Sequence, residues 1–64
     1  MCIFAYQNGV AVGFVRSLSH TRMRASFIQD RTKAKRYTNF DMATADVDTL
    51  AKWYAMSGYV FTIV

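Results

Sequence analysis

The dipeptide Asn8-Gly9 constrains the fold of this chain more than any other feature, because it stands between two apolar runs. Both residues tolerate the positive φ angles that a two-residue hairpin turn requires. Segments 1–7 and 10–16 are rich in apolar and aromatic residues on either side of this turn. The sequence therefore predicts an antiparallel β-hairpin at its start.

A two-residue turn also sets the register of a hairpin, and here it places Phe4 opposite Gly13. One face of the predicted hairpin then carries Phe4, Tyr6 and Val15. Apolar residues also occupy the other face, and a single helix shelters only one face of a small sheet. Contiguous apolar patches left in water usually mark an interface. We therefore expect Phe4, Tyr6 and Val15 to contact a protein partner, or a second copy in a homodimer with two-fold symmetry.

The middle of the chain, residues 22–41, is ambiguous between two structures. Alternating side chains favour a second hairpin, with a turn at residues 30–33 and a returning strand at residues 34–40. Met23 and Phe27 are spaced as on one face of a helix, but no wide apolar stripe continues beyond them. The preceding residues 17–21 are polar and predict a connecting segment.

The end of the chain predicts a helix followed by a strand. Thr44 is a favourable N-cap, and an apolar stripe that includes Val47 and Leu50 follows at helical spacing. Gly58 then ends the helical segment, and residues 59–64 have the composition of a strand paired on both sides inside a sheet. We predict a single α+β domain over residues 1–64, with an antiparallel sheet of about four to five strands and one helix packed on one face.

Composition argues against an enzyme and against a bound cofactor or metal. The chain has no Glu, four Asp, one His and one Cys, too few groups to assemble acid–base chemistry or a closed zinc site. His20 is expected in a solvated loop and Cys2 in a strand. The apolar runs are shorter than the roughly 18 residues of a membrane span, and no signal peptide is evident. A soluble, cytoplasmic protein is expected.

Positive charge is concentrated in one third of the chain, and the formal net charge is +4. The basic residues of this segment are Arg16, Arg22, Arg24, Arg31, Lys33, Lys35 and Arg36. On the hairpin interpretation, three aromatic residues lie nearby, namely Phe27, Tyr37 and Phe40. Basic residues beside aromatics are typical of nucleic-acid binding. They also suit an acidic protein partner, or simply a solubilising face.

The C-terminal segment resembles a known family. The residues Leu50-Ala51-Lys52-Trp53, Gly58-Tyr59, Phe61-Thr62 and Val64 follow a helix start and resemble the small inhibitor of bacterial RNA polymerase of T7-type phages. This resemblance implies a non-enzymatic protein of the host cytoplasm that docks on a host macromolecule of the nucleic-acid machinery such as RNA polymerase. Small phage inhibitors of other host systems, including CRISPR defence complexes, share this size, so such a complex is also an expected partner. That family is acidic across its hairpin whereas this chain is basic, so its binding mode does not carry over. The alternative is direct nucleic-acid binding through the basic segment Arg22–Arg36.

Overall fold

Four strands and one α-helix build the protein, and the computed structural model describes every residue from Met1 to Val64. The elements are β1 (Ile3–Gln7), β2 (Val10–Ser19), β3 (Arg24–Ile28), a short 3-10 helix (Arg31–Lys33), α1 (Phe40–Trp53) and β4 (Tyr59–Ile63). The strands form one antiparallel sheet in the order β3-β2-β1-β4. This arrangement confirms the predicted α+β class.

The predicted first hairpin is present, but its register differs from the prediction. Asn8 and Gly9 form the turn with φ angles of 52° and 81°. Tyr6 pairs with Ala11 as expected. An irregularity then places one extra residue, Val12, in β2, so the pairing beyond it is shifted by one position.

This shift exchanges two side chains between the faces of the sheet, because successive side chains point to opposite sides. Phe4 pairs with Phe14 rather than with Gly13. Phe14 therefore shares a face with Phe4, while Val15 lies on the opposite face and is 0 % exposed in the core. The prediction that Val15 belongs to the apolar interface with Phe4 is thus wrong.

The second hairpin joins β2 to β3, not residues 22–29 to residues 34–40. Strand β2 continues through the segment predicted as a connector, and Ser17 pairs with Ser26. No strand forms over residues 34–40, where the chain is an extended loop that is anchored by the main chain. Lys35 N–H donates to Val15 O at 3.0 Å, and Tyr37 N–H donates to Met1 O at 2.8 Å.

Helix α1 begins four residues before the predicted cap. Asn39 adopts extended backbone geometry, and its side-chain oxygen accepts from the N–H groups of Asp41 at 2.8 Å and Met42 at 3.4 Å. Thr44 lies inside the helix and donates its hydroxyl to Phe40 O at 2.9 Å. With 14 residues, α1 is the longest helix, and no helix is long and apolar enough to cross a membrane.

The core lies between α1 and one face of a strongly curled sheet. Strand β2 pairs with β1 through its first half and with β3 through its second half, so that β3 and β4 approach each other over the core. Phe27 of β3 consequently stacks on Tyr59 and Phe61 of β4, with ring centroids 5.8 and 6.5 Å apart. Leu50 of α1 and Ile3 of β1 are both fully buried in the same cluster.

Strand β4 lies at an edge of the sheet and pairs only with β1, so the prediction that it is paired on both sides is wrong. The other edge strand, β3, is capped by a side chain from the end of α1. Ala25 N–H donates to the Tyr54 hydroxyl oxygen at 2.9 Å, and this hydroxyl lies 3.4 Å from Ala25 O. The two edges of the sheet therefore differ, one capped and one free.

Candidate functional site

The face of the sheet turned away from α1, here called the open face, carries three neighbouring aromatic side chains. Phe4 lies between Tyr6 and Phe14, with ring centroids 5.0 and 4.8 Å away and edge-to-face geometry in both pairs. Phe4 and Phe14 are half-buried against each other, whereas Tyr6 is 39 % exposed. We call these three residues the open-face aromatic cluster. They form an apolar platform at the surface.

A guanidinium group lies over this platform. The short 3-10 helix carries Arg31 back across the sheet, so that its guanidinium carbon is 5.7 Å from the centroid of Phe14. Arg31 also donates to Val64 O at 3.2 Å. The contact with Phe14 and this hydrogen bond together hold the guanidinium in place over the sheet. Asp30 caps this turn, and hydrogen bonds from the Thr32 hydroxyl and N–H hold the pKa of Asp30 below its ordinary value.

Farther along β2 and β3, the open face contains a depression of about 200 Å³. Its lining consists of hydroxyl and guanidinium side chains together with one alanine, and it comprises Ser17, Ser19, Arg22, Arg24, Ala25 and Ser26. The hydroxyl oxygens of Ser17 and Ser26 lie 2.6 Å apart across the two strands. We call this site the serine–arginine depression. Its donor groups are those that bind phosphate oxygens in proteins.

The depression and the aromatic cluster are neighbours on one surface. Phe14 and Ser17 are three residues apart on β2, at most roughly 10 Å, and the irregularity at Arg16 between them returns Ser17 to the same face as Phe14. A flexible polymer that carries anionic groups beside flat aromatic groups could contact both at once. Single-stranded nucleic acid has this composition.

Negative charge is placed on the opposite side of the molecule. Three of the four carboxylates, Asp41, Asp46 and Asp48, belong to α1, which covers the other face of the sheet. Asp46 is further neutralised by Lys35, whose amino group lies 3.5 Å from its carboxylate. The fold therefore partly separates the charges, with three arginines at the open face and three of the four carboxylates on the helix.

The structure divides the predicted basic residues into three groups. Arg22, Arg24 and Arg31 reach the open face. Lys35 instead lies 5.3 Å from the centroid of the Tyr37 ring and pairs with Asp46 on the helix side. The remaining three are exposed but line neither the depression nor the aromatic cluster: Arg16, Lys33 and Arg36.

None of the three aromatics predicted beside the basic segment lies at this site. Phe27 packs in the core beneath α1. Tyr37 is 5 % exposed and donates its hydroxyl to the carboxylate of Asp46; burial, reinforced by this bond, raises the pKa of Tyr37 above its ordinary value. Phe40 is 60 % exposed but stands at the first position of α1.

Two groups of site residues were missed by the sequence reasoning. The predicted register placed Phe14 on the face opposite to Phe4, because the extra residue in β2 leaves no clear mark in the sequence. Ser17 and Ser19 were assigned to a connector because short polar residues favour turns. Leu18 lies on the core face with Val15 only because a second irregularity leaves Arg16 unpaired in β2, so no simple alternation in the sequence indicates the longer strand.

Comparison with known proteins found no family model, no curated protein and no solved structure that matches this chain. The structure also gathers no group of three or more His, Cys, Asp or Glu side chains that could hold a metal ion. Only the geometry of the open face therefore bears on the function of the protein.

Proposed function

We propose that this protein binds single-stranded nucleic acid across the open face of its sheet. The observation that carries the proposal is the exposed open-face aromatic cluster with Arg31 over it and the serine–arginine depression beside it. The proposal describes a binding protein rather than an enzyme.

The aromatic cluster supplies the part of binding that does not depend on salt. Bases of any sequence stack on exposed aromatic rings, and each stacked base contributes about 1–3 kcal/mol when measured by alanine substitution. Tyr6 is the most exposed ring of the cluster. It is therefore the best position at which to test stacking.

The arginines supply the part of binding that depends on salt. Arg22 and Arg24 border the depression, where the hydroxyls of Ser17 and Ser26 bond to each other and leave one O–H to donate to a phosphate oxygen. Each phosphate that an arginine neutralises releases condensed counterions. The logarithm of the association constant then falls with the logarithm of salt concentration by about 0.7 per contact on a single strand.

Fluorescence anisotropy with labelled single-stranded DNA and RNA oligonucleotides tests the stacking interaction. Tyr6→Ala should weaken binding by about 5- to 150-fold, which corresponds to the stacking energy of one base. Phe40→Ala is the matched control, since it removes a ring on α1 that is more exposed than Tyr6, 60 % against 39 %. Equal losses from the two variants would contradict a role for the open face.

A salt titration tests the arginine contacts with a second matched pair. Arg24→Ala should reduce the slope of log affinity against log salt by about 0.7, because one phosphate contact is lost. Lys52→Ala removes the same charge from α1 and should leave the slope unchanged. Absence of any binding at low salt refutes the proposal.

A second candidate function is docking on an acidic surface of a host macromolecule of the nucleic-acid machinery. The observation that favours it is the β2–β3 turn, where Met23 is 63 % exposed between Arg22 and Arg24. Methionine and arginine are both enriched in protein interfaces. A turn of this kind presents an apolar tip flanked by positive charge.

Capture from a bacterial lysate distinguishes the two candidates. Wild-type protein and the Met23→Ser variant are compared before and after nuclease treatment. A protein partner retained after nuclease treatment and lost with Met23→Ser supports docking. Capture that disappears with nuclease and is unaffected by Met23→Ser supports direct binding of nucleic acid.

A further inference from the structure

The outer edge of β4 carries main-chain groups that have no partner in the structure. The exchange of two hydrogen bonds of 2.9 Å between Cys2 and Val64 shows which β4 residues face β1. Because the pattern alternates along an antiparallel pair, the N–H and C=O groups of Tyr59, Phe61 and Ile63 point outward. Main-chain polar groups require a hydrogen-bond partner, so this edge is bonded either to water or to another strand.

This edge also lacks the features that normally prevent strands from pairing. Charged side chains, prolines and bulges blunt most exposed edges. The chain contains no proline, residues 53–64 contain no charged side chain, and the pairing of β4 with β1 is regular. The opposite edge, by contrast, has its Ala25 N–H occupied by the Tyr54 hydroxyl.

We propose that the protein forms a two-fold symmetric dimer by antiparallel pairing of β4 with β4 of a second copy. The outward groups select the register, because Tyr59, Phe61 and Ile63 must occupy hydrogen-bonded positions. The symmetric solution pairs Phe61 with Phe61 of the second copy and Tyr59 with Ile63 of the second copy. About six main-chain hydrogen bonds then join the two chains.

Charge distribution makes a second copy a suitable occupant of this edge. Each copy has a net charge of +4, so like-charge repulsion opposes self-association in general. Two of the three open-face arginines, Arg22 and Arg24, belong to β3 and the turn before it, at the other edge of the sheet, whereas Arg31 reaches only the end of β4, where it donates to Val64 O. The residues of β4 that would pair carry no charged side chain, and Arg31 adjoins only one end of the strand, so the two copies meet with little repulsion along the contact.

Dimerisation at this edge leaves the open face accessible. The pairing axis is perpendicular to the sheet, so the open faces of the two copies lie side by side in one sheet of eight strands. Val60 and Thr62, both exposed on that face, then lie opposite each other across the new strand pair, Val60 of one copy against Thr62 of the other. This inference does not depend on the proposed function, and it provides a direct test of register.

Two double variants differ only in the sign of one charge. Val60→Lys with Thr62→Lys places two like-charged pairs across the symmetric contact, at a cross-strand Cβ separation of about 5 Å. Val60→Glu with Thr62→Lys places two pairs of opposite charge there. Analytical ultracentrifugation over a range of concentrations measures the dissociation constant of each, and circular dichroism confirms that each is folded.

The wild type should sediment as a dimer at micromolar concentration. The like-charged variant should raise the dissociation constant by about 2- to 30-fold, whereas the oppositely charged variant should keep it at or below the wild-type value. Amide exchange at Phe61 and Ile63 should slow as the wild-type concentration rises. A wild type that is monomeric throughout, a pair of variants with equal dissociation constants, or concentration-independent exchange at Phe61 overturns the inference.

Discussion

Replacement of Tyr37 by phenylalanine isolates the one hydrogen bond that links the 34–37 loop to α1 through a carboxylate. The buried ring is retained, and only the hydroxyl that donates to Asp46 is removed. A hydrogen bond to a charged group contributes about 1.5–3 kcal/mol. The Asp46 side chain is 22 % exposed, and the Lys35 amino group stays 3.5 Å from its carboxylate. Water and Lys35 therefore compensate in part for the hydrogen bond that the carboxylate loses. We therefore expect a loss of about 1.5 kcal/mol in the free energy of unfolding, at the lower end of this range.

The same bond makes the stability difference depend on pH. Burial and Asp46 raise the pKa of Tyr37 in the folded protein above the value of about 10 that applies in the unfolded chain. The contribution of Tyr37 is therefore fully present below pH 10 and is lost as the pH rises from 10 toward the folded-state pKa. The difference between wild type and Tyr37→Phe should narrow over that interval.

Thermal unfolding followed by circular dichroism measures both effects. For a domain of this size, a loss of 1.5 kcal/mol lowers Tm by about 6–12 °C at pH 7. Asp46→Ala and the double variant complete a cycle that isolates the pairwise energy. Equal Tm values for wild type and Tyr37→Phe at pH 7, or a difference that persists unchanged above pH 10, would refute this reasoning.

Two further substitutions test the irregular strand and the capped edge. Gly13→Ala should lower the free energy of unfolding in urea by about 1–3 kcal/mol, since Gly13 has φ +145° and a Cβ there would lie 3.0 Å from Ile28 O; unchanged stability would show that the backbone relaxes freely. Tyr54→Phe should cost about 1 kcal/mol and accelerate amide exchange at Ala25, whose N–H loses its acceptor; unaltered exchange at Ala25 would show that Tyr54 does not protect this edge.

The sequence predicted those features of the fold that are determined by neighbouring residues. The turn at Asn8-Gly9 and the Tyr6–Ala11 pair follow from backbone preferences of two adjacent residues, and both are present. The existence of one helix near the C-terminal half follows from apolar spacing. Its start was misplaced because Thr44 and Asn39 are both good caps, and only packing against the sheet selects Asn39.

Features that depend on distant contacts could not be predicted. The extra residue in β2 bends the strand so that Val15 reaches the core and Phe14 the open face. The loop at residues 34–37 has the composition of a strand, but its main chain bonds to Val15 and Met1 instead of a sheet ladder. Of the residues on the open face, the arginines were predicted as part of a basic patch and Phe4 and Tyr6 as part of a separate apolar interface, whereas Phe14 and the serines were not predicted.

The order of pairing in the sheet has a consequence for how the chain folds. Strands β1, β2 and β3 are joined by short turns and meet their partners locally, whereas Gln7 pairs with Tyr59 across about 50 intervening residues. Closing that long loop costs chain entropy before any contact of β4 compensates for it. The three-stranded meander is thus suited to form first, and β4 docks only once α1 has brought it back to β1. Until that step is complete, the outer side of β1 is an unpaired strand edge. The late pairing of β4 with β1 therefore also protects the chain from pairing with other nascent copies of itself.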